Sequence, residues 1–510
     1  MFAKVLSGAV VGVDGLIIEV EVDLIRGLPS FSTVGLAEGA VRESKDRVKA
    51  AIKNCGYDFA DGKVTVNLAP ATVKKEGAGY DLPIALGVLA VTEQLACTDL
   101  QDLCVVGELS LDGEVRKVRG ILPMVLAAKE RGVKRFYVPA ANAEEAAIVE
   151  GIEVVAVRRL EEAVAYLSKA KHGHVVSIDM EALFTRCNRY SVDMSEVKGQ
   201  EHVKRAMEVA AAGGHNILLS GVPGTGKTMI ARRLPTILPD QSIDEALETT
   251  KIYSTMGLLP DHSPLMVTRP FRAPHHTISD AGLIGGGNIP RPGEVSMAHN
   301  GVLFLDELPE FRKHVLEVMR QPMEDGVVSI ARASSSMQFP AGFMLVAAMN
   351  PCPCGYLGDH GRDCSCSAVQ VQRYRAKISG PLLDRIDMHV EVPPVGVNQL
   401  VDTKPGEPSE AIRERVNKAR AIQQKRFSGD AEVHGNASMK PRDITSYCQL
   451  DTTGASLLKT SIEGLGLSAR AHNRILKIAR TIADLDFKDH IESSHIAQAV
   501  QYRRMRYHND

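Results

Sequence analysis

The stretch "NILLSGVPGTGKTMIARRL", residues 216–234, leaves little freedom in its local fold. An apolar run leads into Gly221-Val-Pro-Gly-Thr-Gly226-Lys227-Thr228 and a helical run follows, which is the strand-loop-helix setting of a phosphate-binding loop. Glycines let backbone N–H groups close on phosphate oxygens, and the helix N-terminus adds positive potential. Gly221, Pro223, Gly224, Thr225 and Gly226 then form the cradle for ATP, Lys227 reaches the β- and γ-phosphates, and Thr228 offers an oxygen to Mg2+.

Three later stretches fit the same chemistry. "GVLFLDELPEF" is an apolar strand ending in Asp306-Glu307, which brings Asp306 to the metal and Glu307 to a water poised to attack the γ-phosphate. "GFMLVAAMN" ends in Asn350, expected to orient that water, although an Asn before Pro351 also suits a plain turn. "SGPLLDRIDMHVEV" places Arg385 between two aspartates: either a surface salt bridge or, in a ring, a residue that enters the neighbour's site. In "GLSARAHNRILKIARTI", Arg470 lies near a helix start where it could report the nucleotide state, with Arg474 as the competing candidate.

"MNPCPCGYLGDHGRDCSC" directly follows the Asn350 strand. The spacing Cys352-x-Cys354-x9-Cys364-x-Cys366 supplies four thiolates in two tight pairs, enough for a closed tetrahedral Zn2+ site of structural type. Unpaired or redox-active thiols and an iron–sulfur cluster are the alternatives, and Asp359 and His360 are spare ligands nearby. Cys55, Cys97, Cys104, Cys187 and Cys448 are scattered among apolar neighbours and read as core residues.

At 510 residues the chain is too long for one core. Residues 1–172 alternate β-like runs such as "GLIIEVEVDL" and "KVTVNLAP" with Ala-rich helical runs, an α+β pattern. Residues 173–189 are polar and read as a linker, 190–396 as the α/β core, and 397–510 as helical, with "TKPGEPSE" at the last boundary. Lys+Arg number 60 against 62 Asp+Glu, so a net charge of −2 neither favours nor excludes nucleic acid. No apolar run of about 18 residues suggests a membrane span, and no secretion signal is evident; the expected location is cytoplasmic, where thiols stay reduced.

Together these residues resemble an AAA+ ATPase of the magnesium-chelatase-like group, and the whole chain is similar to the ComM/YifB family, most specifically in "RPFRAPHHTISDAGLIGGG", "PRPGEVSMAHNGVLFLDELPEF" and "VAAMNPCPCGY". The resemblance implies a Lon-protease-like N-terminal domain of the ribosomal S5 domain 2-like fold, an AAA+ P-loop core with a parallel sheet, and an α-helical lid. It also implies the roles of Walker A lysine for Lys227, Walker B for Asp306 and Glu307, sensor 1 for Asn350, arginine finger for Arg385 and sensor 2 for Arg470. A hexameric ring and ATP-driven branch migration of DNA in recombination and natural transformation come with it. A protein-remodelling ATPase of the chelatase-subunit type is the alternative.

The N-terminal domain departs from the protease pattern. "KKEGAGYDLP" and "KVRGILPMVL" put Gly79 and Leu122 near the positions of the catalytic serine and lysine, and neither can act as nucleophile or base. Lys74, Lys75, Arg116, Lys117 and Arg119 instead form basic clusters that either touch phosphates or are plain solvated charge. "HHTISDAGLIGGGNIPRPGEVS" and "GVVSIARASSSMQFPAG" fit a protruding loop and a hairpin, resembling the helix-2 insert and pre-sensor hairpin of this group. His275, His276, Arg291 and Arg332 are then candidate DNA-backbone contacts. Aromatic residues make up only 5% with no Trp, which argues against base-stacking as the main grip.

Overall fold

The chain begins with a long hairpin. Phe2–Val11 and Asp14–Ile25 pair antiparallel, from Phe2↔Asp23 to Val11↔Asp14, across the two-residue turn Gly12-Val13. In "IIEVEVDL" the period of two buries Val20 and Val22 and leaves Glu19 and Glu21 half-buried. A computed structural model describes residues 1–36, 39–95, 100, 102–260, 263–287, 290–332, 335–359, 361–396, 406–429, 433–466 and 468–503. Cys97, His360, the tip residues 333–334, residues 403–405 of "TKPGEPSE" and the basic terminus from 504 lie outside the described residues. Two compact units emerge: Met1–Asn188 with Ala246–Val267, and Arg189–Glu245 with Thr268–Asp510.

In the first unit the hairpin forms the middle of an eight-stranded mixed sheet. The order across it is His174–Val176, Glu153–Val157, Arg135–Pro139, Leu103–Val105, Phe2–Val11, Asp14–Ile25, Lys63–Ala69, Ser30–Val34. The helix Asp81–Val91 is apolar almost all round and buried except at Ala90, and it packs on both hairpin strands. This is the expected α+β architecture. Asp81 at its start is fully buried and takes Arg47 Nε at 2.7 Å and Nη2 at 3.1 Å; burial pushes its carboxyl up to about 6 against the pull of Arg47.

A Cβ at Gly79 would lie 3.2 Å from Val118 Cγ1 and 3.4 Å from Val106 Cγ1, so a serine there would meet a crowded apolar wall. Leu122 is fully buried and its N–H donates to Glu145 Oε1 at 3.0 Å. Lys75 is also fully buried and donates to the Pro70 carbonyl, which removes it from any surface cluster. The polar segment 173–189 carries an edge strand, His174–Val176, paired antiparallel with Glu153–Val157, and a helix, Met180–Cys187, capped by Asp179.

The second unit is built on a five-stranded, all-parallel sheet in the order Phe271–Arg272, Val302–Leu305, Met344–Met349, Ile217–Ser220, Met388–Glu391. Val302–Leu305 and Met344–Met349 are buried at every position, as apolar runs covered on both faces must be. The first strand of this sheet in the sequence, Ile217–Ser220, lies between the later strands Met344–Met349 and Met388–Glu391, so the chain winds off in opposite directions from it. Ligands bind outside the carboxyl ends of strands at such a reversal.

The helices Ser409–Arg426, Pro441–Tyr447, Thr452–Leu465, Ala469–Leu485 and Ser493–Gln501 follow the sheet in sequence. Ile412 and Val416 of the first, and Ile475, Ile478 and Ile482 of the fourth, share a core with Ile217, Leu219 and Val346 of the sheet. Inside this helical region the buried Asp484 takes Arg426 Nη1 at 2.8 Å, Arg480 Nε at 3.0 Å and Asn436 Nδ2 at 2.8 Å. These donors satisfy the carboxylate's hydrogen-bonding needs away from water.

Candidate active site

The loop after Ile217–Ser220 turns sharply into the helix Lys227–Arg233. Gly224 and Gly226 adopt φ of +82° and +86°, the left-handed region open to glycine at little cost. Lys227 is buried, and its Nζ donates to the carbonyls of Gly221 at 2.7 Å and Val222 at 2.9 Å and to Asn350 Oδ1 at 3.2 Å. Burial pulls the Lys227 ammonium below its ordinary range, opposed by Asp306. The Thr228 hydroxyl donates to Asp306 Oδ2 at 2.7 Å. The tips of three adjacent strands therefore bring together Lys227, Thr228, Asp306 and Asn350.

Glu307 follows Asp306 with φ +53°, an unusual value for a residue with a side chain, and its carboxylate is exposed. His276 Nδ1 lies 3.6 Å from Glu307 Oε2. The His276 ring is half-buried, 4.1 Å from the His275 ring and edge-on to Phe311. His275 is exposed, as is Arg291, which pairs with Gly286 in the short hairpin Gly285–Gly286 and Arg291–Pro292. Arg332 ends the strand Val327–Arg332, which pairs antiparallel with Ser335–Pro340. Ser335 and Ser336 belong to the second strand of this hairpin.

Arg385 is almost fully buried. It pairs with Glu324 and donates to the Pro381 carbonyl at 2.8 Å. Glu324 sits below the usual carboxylate range, first because of the Arg385 hydrogen bond and further because of the charges of Arg385 and Arg470. Arg470 is exposed in the first turn of the helix Ala469–Leu485, and Arg474 one turn on is paired with the buried Asp387. Arg385, by direct pairing, and Arg470, by its charge, thus both act on the Glu324 carboxylate.

The four cysteines converge. Cys352 Sγ lies 3.4 Å from Cys354 Sγ and 3.6 Å from Cys364 Sγ, the Cys354–Cys364 distance is 3.6 Å, and the four sulfurs fall within 4.8 Å of one another. These spacings exceed the roughly 2.05 Å of a disulfide and approach the roughly 3.8 Å between sulfurs of a tetrahedral site with 2.3 Å bonds. Cys354 N–H donates to Cys366 Sγ at 3.3 Å. The Cys354 thiol is drawn down to about 5, most by the Tyr356 N–H, with Cys352 and the Ser365 N–H adding.

Sequence reasoning missed the residues that support this cluster. Arg375 donates to the Pro351 carbonyl through Nε at 3.3 Å and Nη2 at 3.2 Å, and a backbone hydrogen bond joins Asn350 to the Tyr374 phenol. Burial pushes that phenol up to about 12. An adjacent Tyr-Arg pair on a helix after a cysteine cluster was the available signal.

A parallel sheet with a phosphate loop at its reversal, an acidic strand tip beside it and an asparagine completing the row define an ATPase module of the AAA+ type. The family descriptions "Magnesium chelatase, subunit ChlI", "Subunit ChlI of Mg-chelatase" and "Magnesium chelatase, subunit ChlI C-terminal" match residues 193–400, 20–142 and 406–503. The competence protein ComM of Haemophilus influenzae is 43% identical over 507 residues, covering 99% of this chain and 97% of that one. The YifB protein of Escherichia coli is 43% identical over 498 residues, 97% and 96% of the two chains. Lon protease 2 of Bacillus subtilis is 24% identical over 166 residues, 29% of each. The chain belongs to the ComM/YifB family of magnesium-chelatase-like AAA+ ATPases. No helix among the described residues is long and apolar enough to cross a membrane.

Proposed function

We propose that this protein is a cytoplasmic, ring-forming ATPase, a hexamer, that drives branch migration of DNA in homologous recombination and natural transformation. The meeting of Lys227, Thr228, Asp306 and Asn350 at adjacent strand tips carries the ATPase part. Similarity along nearly the whole chain to a protein named for competence supports the DNA part.

Lys227 binds the β- and γ-phosphates and the loop N–H groups of residues 221–228 cradle them. Thr228 and Asp306 are hard oxygen donors 2.7 Å apart, the ligand type Mg2+ takes. When bound, Mg2+ neutralises charge that develops on the transferring phosphoryl group. Glu307 accepts a proton from the attacking water and Asn350 orients that water. Arg385 exchanges Glu324 for the γ-phosphate in a neighbouring subunit's site, and Arg470, with Arg474 as the competitor, senses the nucleotide. His275, His276, Arg291 and Arg332 meet the DNA backbone in the pore. Cys352, Cys354, Cys364 and Cys366 hold a structural Zn2+.

The test is ATP turnover with and without single-stranded, duplex and four-way-junction DNA, together with junction dissociation at several salt concentrations. Stimulation by DNA, steep weakening with salt and ATP-dependent junction movement are expected. Turnover indifferent to DNA, with stimulation by a protein partner, would replace this reading with a chelatase-type remodelling ATPase.

A further inference from the structure

We propose that the four-cysteine clip braces the nucleotide loop, so that its metal sets the affinity for ATP. The inference rests on the zinc reading above and adds what the zinc does.

The segment 351–366 forms no helix or strand among its described residues, so its backbone has few ladder hydrogen bonds to hold it. It nevertheless reaches the phosphate loop. Gly355 adopts φ +90°, and a Cβ built on it would lie 2.7 Å from Pro223 Cγ and 2.8 Å from Pro223 Cδ. The Gly355 backbone therefore rests on the ring of Pro223, inside the loop that begins at Gly221. A side chain fits there neither in space nor in backbone conformation.

The other cysteine pair anchors the far end. Cys366 precedes Ser367, which caps the helix Ala368–Arg375 in a reciprocal capping box with Gln370. That helix carries Tyr374 and Arg375 back to Asn350 and Pro351. A metal bound by both pairs closes a circuit from the Asn350 strand tip, through Cys352 and Cys354, to Cys366 and the helix, and back to Asn350. Gly355 protrudes from this circuit onto Pro223. Opening the circuit releases Gly355, and the phosphate loop must then be ordered at the cost of ATP binding energy.

The experiment uses the full chain purified without chelator. Zinc per chain is measured by elemental analysis, zinc is then stripped with a mercurial and a chelator and restored with a thiol and Zn2+. At each stage the Kd for a fluorescent ATP analogue and the melting temperature are read, in wild type and in Pro223→Ala. We expect metal-free wild type to bind the analogue about tenfold more weakly, with recovery on Zn2+ return, because order pre-formed by the clip no longer assists binding. Pro223→Ala lacks the ring that Gly355 touches, so its Kd, weaker at the start, should change little on stripping. Zinc present but wild-type Kd unmoved by its removal overturns the bracing inference and leaves the zinc site standing. An equal loss in both proteins also overturns it, since the metal would then act by another route. Failure to bind zinc at any stage removes the zinc reading and this inference together. Cys352→Ser with Cys364→Ser repeats the test where that variant folds, and the stripping arm decides where it does not.

Discussion

His276 Nδ1 faces Glu307 Oε2 at 3.6 Å, and this imidazole, edge-on to Phe311 and tilted against the His275 ring, is the group placed to orient the exposed carboxylate. A side chain set on a left-handed backbone at the end of a strand otherwise has many rotamers open to it. His276→Ala is expected to lower kcat roughly ten- to hundredfold with little change in ATP affinity, as a misplaced catalytic group does. His276→Asn, whose amide overlays the Nδ1 position, should recover part of the loss. The double variant with Glu307→Gln should turn over no more slowly than Glu307→Gln alone; additive losses would show that His276 does not work through Glu307.

Lys227→Ala should abolish tight ATP binding, because the one cation buried in the loop is lost. Glu307→Gln should bind normally and hydrolyse at a small fraction of the wild-type rate. Equilibrium titration and single-turnover hydrolysis of both variants make the comparison, and ordinary turnover by Glu307→Gln would remove its assigned role.

Arg385→Ala should bind ATP yet hydrolyse it slower by roughly a thousandfold or more, the scale of a lost arginine finger. Mixed rings of Arg385→Ala and Lys227→Ala subunits should regain activity, since each interface of one kind then pairs an intact loop with an intact arginine. Well-assembled mixtures that stay inactive would place Arg385 in a purely structural pairing with Glu324.

His215 gives the fold a dependence on acid. The ring is fully buried, its Nε2 meets Thr481 Oγ1 at 2.8 Å, and burial, with Lys477, Arg474 and Arg420 nearby, lowers its pKa to about 3. Asp387 lies 3.9 Å from Nδ1 but is already engaged by Arg474 and by the Asn216 N–H, so it does not reverse the shift. The unfolded chain protonates this histidine near 6.5, the folded one does not, and the stability it contributes is therefore lost as pH falls from about 6.5 towards 3. Melting temperature should drop between pH 7.5 and 5, and less steeply in a folded His215→Gln variant; parallel slopes would exonerate His215.

The nucleotide loop and its acidic strand tip were legible because each is a local pattern: apolar run, then glycines or carboxylates, in chain order. The cysteine cluster was legible for the same reason. What escaped were pairings between distant segments. Nothing near Arg385 in the sequence announces Glu324, and Lys75, written among charges in "VKKEGAG", turns inward onto a carbonyl five residues back. The segment 173–189 hides a three-residue strand too short to show a period. Residues 246–267 read as part of the ATPase core yet belong to the first unit, because the buried residues of their helix, Ala246, Thr249, Thr250, Ile252, Tyr253 and Ser254, say that the helix packs but not against which distant segment.

That last assignment sets a schedule for synthesis. Ile148 and Leu183 of the first unit share a small core with Ala246, Leu265 and Val267. On the ribosome, the amino-terminal unit cannot finish this core when residue 188 leaves the exit tunnel; it waits for the strand and loop of the phosphate site to be translated and for residue 267 to follow. Maturation of the first unit is thereby tied to a nascent chain that already carries the ATP-binding loop, and a fragment stopped at residue 188 would leave Ile148 and Leu183 without part of their cover.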